Sequence, residues 1–190
     1  ITASKLATLG ISGRLVNDGG LIASGSGLTL TAGALTNAGG DIETTGALSL
    51  RAASLDGADG RILATGTGAA LSLDVAGSIS GTGVLISSTG NTNITAGSLA
   101  FGAGSRLTSA QALSVAARSG DLALGGGNAD GTSVVLSAAG GTISTGAGGF
   151  VVTPGTLTLS GKAMDLSGGA AQGAQVNVAA ETLRNIDGTL

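Results

Sequence analysis

Leu28-Thr29-Leu30-Thr31-Ala32, followed by Leu35-Thr36-Asn37-Ala38-Gly39-Gly40-Asp41-Ile42, is the stretch that the rest of the chain copies. Twenty residues on stand Leu48-x-Leu50-x-Ala52, Leu55, Gly60 and Ile62, and twenty back stands Leu15-x-Asn17-x-Gly19-Gly20-x-Ile22. Written as apolar-x-apolar-x-small, successive copies of the first element are Leu28/Leu30/Ala32, Leu48/Leu50/Ala52, Leu71/Leu73/Val75, Thr92/Ile94/Ala96, Leu113/Val115/Ala117, Val134/Leu136/Ala138, Leu157/Leu159/Gly161 and Val176/Val178/Ala180. Their spacings are 20, 23, 21, 21, 21, 23 and 19 residues. A weaker copy is expected near Leu9 to Gly13, and Leu183-x-Asn185-x-x-Gly188-x-Leu190 restores the full signature at the end. A fixed period of about 20 residues marks a repeat protein.

Within each unit, alternation of period 2 puts Leu28, Leu30 and Ala32 on one face and Thr29 and Thr31 on the other, the pattern of a half-buried strand. Three short runs, at 28–32, 34–36 and 41–44, are separated by Gly-rich or Asn-containing corners. Three strands and three corners in about 20 residues predict a parallel β-helix, with equivalent side chains of successive coils about 4.8 Å apart. The whole chain, 1–190, then forms one all-β domain of about nine coils of 19–23 residues, a rod roughly 43 Å long.

Composition agrees. Among 190 residues there are 37 Gly, one Pro and two Phe, with no Trp, Tyr, Cys or His. Gly costs a helix interior about 1 kcal/mol relative to Ala, and its frequency here argues against helices. Its irregular spacing excludes collagen, and the regular apolar alternation argues against disorder. A net charge of −3, with eight Lys and Arg scattered singly, provides no stripe for a phosphate backbone, so nucleic acid is not an expected partner. Polar residues interrupt every apolar run well before membrane-spanning length, and two Phe cannot supply the aromatic girdles of a membrane barrel. The opening residues lack a signal-peptide pattern, and the repeat runs close to both ends. The expectation is therefore a piece of a longer protein, without its caps, whose open ends favour end-to-end self-association.

The period also predicts which charges are neighbours. Asp41 should face Arg61, Arg51 should face Asp74, Lys162 should face Glu181 and Asp165 should face Arg184. The small third position reads as an inward bend with little room, and Asn17, Asn37 and Asn185, which precede Gly pairs or Asp-Gly, mark corners that need positive φ. The extra residues of the 23-residue units are placed at Gly66–Ala70 with Gly81-Thr82-Gly83, and at Gly146–Gly149. Gly125–Gly131 reads as a wide corner, and Phe101 and Phe150 as local core.

Leu-x-Asn-x-Gly-Gly-x-Ile, at Leu15 to Ile22 and again at Leu35 to Ile42, resembles the repeats of filamentous haemagglutinin and related exoproteins of two-partner secretion systems. The resemblance is strong at 11–65 and 176–190 and looser between. It implies a right-handed parallel β-helical shaft, exported through an outer-membrane partner transporter and displayed at, or released from, a Gram-negative surface as an adhesin. Host-cell glycans or receptors are then partners of the parent protein. The family's Asn-Pro secretion motifs have no counterpart, since the one Pro, Pro154, follows Thr153.

No catalytic, cofactor-binding or metal-ligating residue is assigned. Polysaccharide-active β-helices cluster carboxylates with basic residues, often with a metal. The densest acidic group here, Asp41, Glu43, Asp56 and Asp59, is split between corners by the repeat and reads as surface, a weak Ca²⁺ site being the alternative. Without His, Cys or Tyr, nucleophilic and acid–base options shrink to isolated acids. Gly125-Gly-Gly-Asn128-Ala-Asp130 has Asn where the calcium nonapeptide needs Gly, and Gly161-Lys162 is followed by Ala163, not by the Ser or Thr of a phosphate loop. Thr29/Thr31 gives way to Ser49/Arg51 and Ser72/Asp74, which breaks an ice-binding array. The leading expectation is a structural shaft of an adhesin. The alternatives are a glycan- or receptor-binding face, the stalk of a contact-dependent toxin exoprotein, or a polysaccharide-active enzyme.

Overall fold

A computed structural model describes all of residues 1–190. There is no helix, and every strand pairing is parallel, each strand bonding to its equivalent one coil away. One face of the solenoid is a nine-stranded sheet running from Thr2–Ala3 through Leu21–Ser24, Asp41–Thr44 and Arg61–Ala64 to Ala170–Gln172. The remainder forms a 14-stranded sheet that bends around a corner, because strands such as Gly27–Thr36 and Ala47–Asp56 carry two of the three runs of a coil without a break. The solenoid has about nine coils.

The predicted columns are the observed ones. Leu28, Leu48, Leu71, Thr92, Leu113, Val134, Leu157 and Val176 stack in register. Leu30 and its equivalents to Leu159 are buried, while Thr29 and Thr31 are exposed. With Leu35, Ile42 and their copies they make one core of 41 residues along the axis. The small column also holds Val75, fully buried, so it tolerates more than a methyl group. In the first coil the copy is Ala7/Leu9/Ile11, stacked on Leu28/Leu30/Ala32, two residues earlier than the Leu9 to Gly13 reading. Ala7 stands where every later coil but that of Thr92 has Leu or Val, which hid the element.

Corners are bonded as regularly as strands. Of 133 backbone hydrogen bonds, 53 lie outside the strands, and they include Gly19 N to Ala38 O, Gly39 N to Ala58 O and Asp59 N to Thr82 O. At this corner positive φ recurs at Gly19, Gly39, Asp59, Gly83, Gly104 and onward to Asp187. Asn17, Asn37 and Asn185 stand two positions before Gly19, Gly39 and Asp187, so the corners they mark do carry positive φ, while Asn17 and Asn37 themselves point inward. Asn17 and Asn37 are buried, and Asn17 Nδ2 donates to Asn37 Oδ1 at 2.7 Å. Each amide also donates to backbone carbonyls, Asn17 to Asp41 and Asn37 to Gly40. The column continues through Gly57, Gly81, Phe101, Leu124, Thr145 and Leu166 to Asn185. An amide ladder thus gives way to a hydrocarbon one, and Thr145, among the hydrocarbons, buries a hydroxyl that has no hydrogen-bond partner.

A second corner is fastened by hydroxyls. Ser24, Thr44, Ser88, Ser109 and Thr153 are buried at the end of the nine-stranded sheet's strands. Ser88 Oγ donates to Gly90 O and Ser109 Oγ to Ala112 O, while Thr44 Oγ1 accepts from Gly46 N and Thr153 Oγ1 from Gly155 N. Each satisfies a turn that the adjoining strands cannot.

The length changes fall partly where the sequence placed them. Thr44 pairs with Ala64 but Leu48 with Leu71, so 65–70 carries three extra residues, as expected. Gly81-Thr82-Gly83 carries none, because Ser80 pairs with Asp56 and Leu85 with Arg61 at the same offset of 24. The additional residue lies instead before Ser78, at Ala76-Gly77. Gly146–Gly149 holds one extra residue and the segment around Pro154 another. Gly125–Gly131 is no wide corner: Gly125 and Gly126 make a tight turn of positive φ, and Asn128–Asp130 is a strand. The wide corners are Arg118–Asp121 and Ala139–Thr142, each with two more residues than the corner of the coil on its outer side.

Burial fixes the outcome of two neighbouring substitutions. Leu30→Asp places a carboxylate in the aliphatic column and should cost more than about 4 kcal/mol, abolishing the cooperative urea transition. Thr31→Asp points outward beside its register partner Arg51 and should stay within about 0.5 kcal/mol of the parent; equal losses in the two variants would contradict the facing. Thr145→Val removes the orphan hydroxyl at nearly constant volume and should raise stability by about 1 kcal/mol in the same measurement.

Candidate functional site

With the interior filled, any chemistry belongs to the outer faces. Three of the four expected charge pairs are present: Asp41 to Arg61 at 3.5 Å, Arg51 to Asp74 at 3.6 Å and Asp165 to Arg184 at 3.3 Å. Lys162 and Glu181 do stack through the backbone, Glu181 N donating to Lys162 O at 3.0 Å, yet their side chains form no ion pair. They flank the foreshortened corner after Gly161, and both chains extend into solvent. Arg118 supplies a contact that the period alone does not predict. From its wide corner it reaches two coils back, donating to Asp74 and to Val75 O, so that Asp74 sits between Arg51 and Arg118. Ser167, through its hydroxyl and its backbone N–H, holds the Asp165 carboxyl below the usual range, and Arg184 adds to this. These pairs are exposed and screened by solvent, and set register more than stability.

No three acidic side chains come together in a way that could hold a metal. Asp41 and Glu43 project from the nine-stranded sheet, Asp56 ends the strand Ala47–Asp56, and Asp59 occupies the positive-φ corner.

The two Phe part company. Phe101 is buried in the corner column as expected. Phe150 is 48% exposed and lies on the outer face of the nine-stranded sheet, which overturns its assignment to the core. It follows the Gly148-Gly149 turn, and the alternation that buries Val151 sends Phe150 and Val152 outward. Register places Phe150 over Asn128 and Asn128 over Arg106, with Val152, Asp130 and Thr108 forming the parallel row. The long side chains of Arg106 and Phe150 in the outer coils flank the shorter Asn128 in the middle coil, leaving an open groove of about 290 Å³. Partial burial in it pushes the Asp130 carboxyl upward, an effect that the Arg106 charge opposes. The sequence does carry a signal for this constellation: Arg106, Asn128 and Phe150 are 22 residues apart. The spacings of 21 and 23 taken from the apolar columns do not connect them.

The haemagglutinin repeat family matches residues 1–67 and 115–187, well over half of the chain. No curated protein and no solved structure matches it. The unmatched segment 68–114 begins inside the longest insertion, 65–70, and holds Gly81 in the Asn column and Thr92 in a leucine column. The columnar core, the Asn ladder and this match together place the chain in the haemagglutinin repeat family, as a repeat region of the filamentous haemagglutinin type.

Proposed function

We propose that this chain is a shaft segment of a larger secreted adhesin displayed at a Gram-negative surface, which holds binding regions away from the cell. The family is one of structural and adhesive repeats, which supports reading the segment as a mechanical element and not as an enzyme. The observation that carries the proposal is the uninterrupted register from Thr2 to Thr189: no coil is skipped, and no loop is long enough to form a lid. A solenoid of this kind is quasi-one-dimensional, each coil held by its neighbours, so length is gained without loss of stiffness. Export through an outer-membrane partner transporter, and attachment to host glycans or receptors through other parts of the parent protein, belong to the same proposal. The offset between coils allows such a chain to fold as it emerges, since each new coil needs only the preceding one as a template.

The proposal is tested in the parent adhesin by replacing this segment with a Gly-Ser linker of equal residue number. Such a linker is a coil whose end-to-end distance grows only as the square root of its length. Surface display should persist while attachment to host cells falls sharply, and a second copy of the segment in place of the linker should restore it. Undiminished attachment with the linker would overturn the shaft role.

A further inference from the structure

The groove at Phe150 stands apart from the shaft role, and nothing in the fold requires it. An outward Phe on a solenoid costs solubility and contributes little to stability, and elsewhere the equivalent column holds Leu, Asp, Arg, Asn or Ala. Here the ring is one wall of a slot. Its opposite wall, two coils away or roughly 9.6 Å by strand spacing, is Arg106, and the floor is Asn128 and Asp130.

We propose that this groove binds a pyranose residue of an uncharged glycan. The wall and floor chemistry match that ligand part by part. The flat face of Phe150 offers a π surface for the C–H face of a sugar ring, extended by Val152. The Asn128 amide, the Asp130 carboxylate and the Arg106 guanidinium present paired donors and acceptors, the geometry that vicinal hydroxyls need. Arg106 and Asp130 together leave the slot without net charge, which favours a neutral ligand over an anionic one. The volume, about 290 Å³, is at the small end for ligand sites and suits one or two sugar rings. The paired strands beneath fix the backbone positions from which these side chains project, so no backbone ordering accompanies binding.

Phe101 and Phe150 are the protein's only aromatic residues, so the aromatic region of its NMR spectrum reports on the groove with one buried internal reference. Titration with methyl β-galactoside, methyl β-glucoside, lactose and cellobiose should shift the Phe150 resonances saturably with at least one of them and leave those of Phe101 in place. Phe150→Ala should weaken that binding about tenfold, the upper end of what one aromatic stacking contact supplies. Phe150→Tyr should retain it, and Asp130→Asn should weaken it while circular dichroism stays unchanged. The proposal is overturned by the absence of any saturable shift, by an equal response to the acyclic polyol sorbitol, or by unaltered affinity in Phe150→Ala. Any of these leaves the shaft proposal standing, because the linker exchange reads a different property.

Discussion

The structure depends on one constraint: each strand takes all its backbone hydrogen bonds from the equivalent strand of the coil before and the coil after. Parallel in-register pairing of successive coils turns every strand position of the repeat into a column about 4.8 Å per step. A residue therefore meets its own counterpart more closely than it meets its sequence neighbours. Aliphatic side chains gain from this, since Leu30 over Leu50 over Leu73 excludes water along the whole axis. Like charges lose from it, and the outer columns accordingly alternate, with Asp41 over Arg61 and Arg51 over Asp74.

Polar groups inside the solenoid obey the same rule with a stricter condition. A buried amide is tolerated when the next coil offers its complement, as Asn17 and Asn37 do for each other, and each amide also reaches a neighbouring carbonyl. Such a ladder cannot end on a large apolar neighbour without leaving a donor or acceptor unmet. Here it ends on Gly57 and Gly81, which present no side chain and leave the space to Val84. From Phe101 to Leu166 the column is hydrocarbon apart from Thr145, which keeps an uncompensated hydroxyl, and Asn185 follows Leu166. The positive-φ corner two or three residues along is retained throughout, in Asp59 and Asp187 as well as in glycines. Backbone shape is thus the invariant of this corner, and the amide is one way of filling its interior.

Much of this was legible in the sequence, because a column of Leu at nearly constant spacing survives small changes of offset. The fold, the facing of Leu28 to Ala32 and three charge pairs follow from that spacing. What escaped has a common cause. The offset differs between the faces of a single coil: Leu48 to Leu71 is 23, Leu55 to Ile79 is 24, and Leu71 to Thr92 is back to 21. A spacing read on one face therefore mislocates insertions on another, as with Gly81-Thr82-Gly83. Phe150 was misplaced by the general rule that large apolar residues are inside, although strand alternation from Val151 assigns it outward. Arg118 was beyond reach for a different reason, since a contact two coils away depends on the shape of a wide corner and not on period.

An interior made of repeats has a mechanical consequence as well. The 133 backbone hydrogen bonds lie mostly between coils, directed along the axis, so each junction between neighbouring coils is held by many bonds acting together. Separating two coils requires breaking a whole set at once and exposing an apolar cross-section, while bending loads the columns on one side only. Resistance to both is a property of the junction and does not depend on how many coils the shaft has. Stiffness is thereby decoupled from the identity of outward residues, which are free to differ from coil to coil. In such a molecule specific recognition can be placed on any face at little cost to the fold. The long-short-long succession of Arg106, Asn128 and Phe150 shows how three coils, each unremarkable in its core, can shape a groove by outward side chains alone.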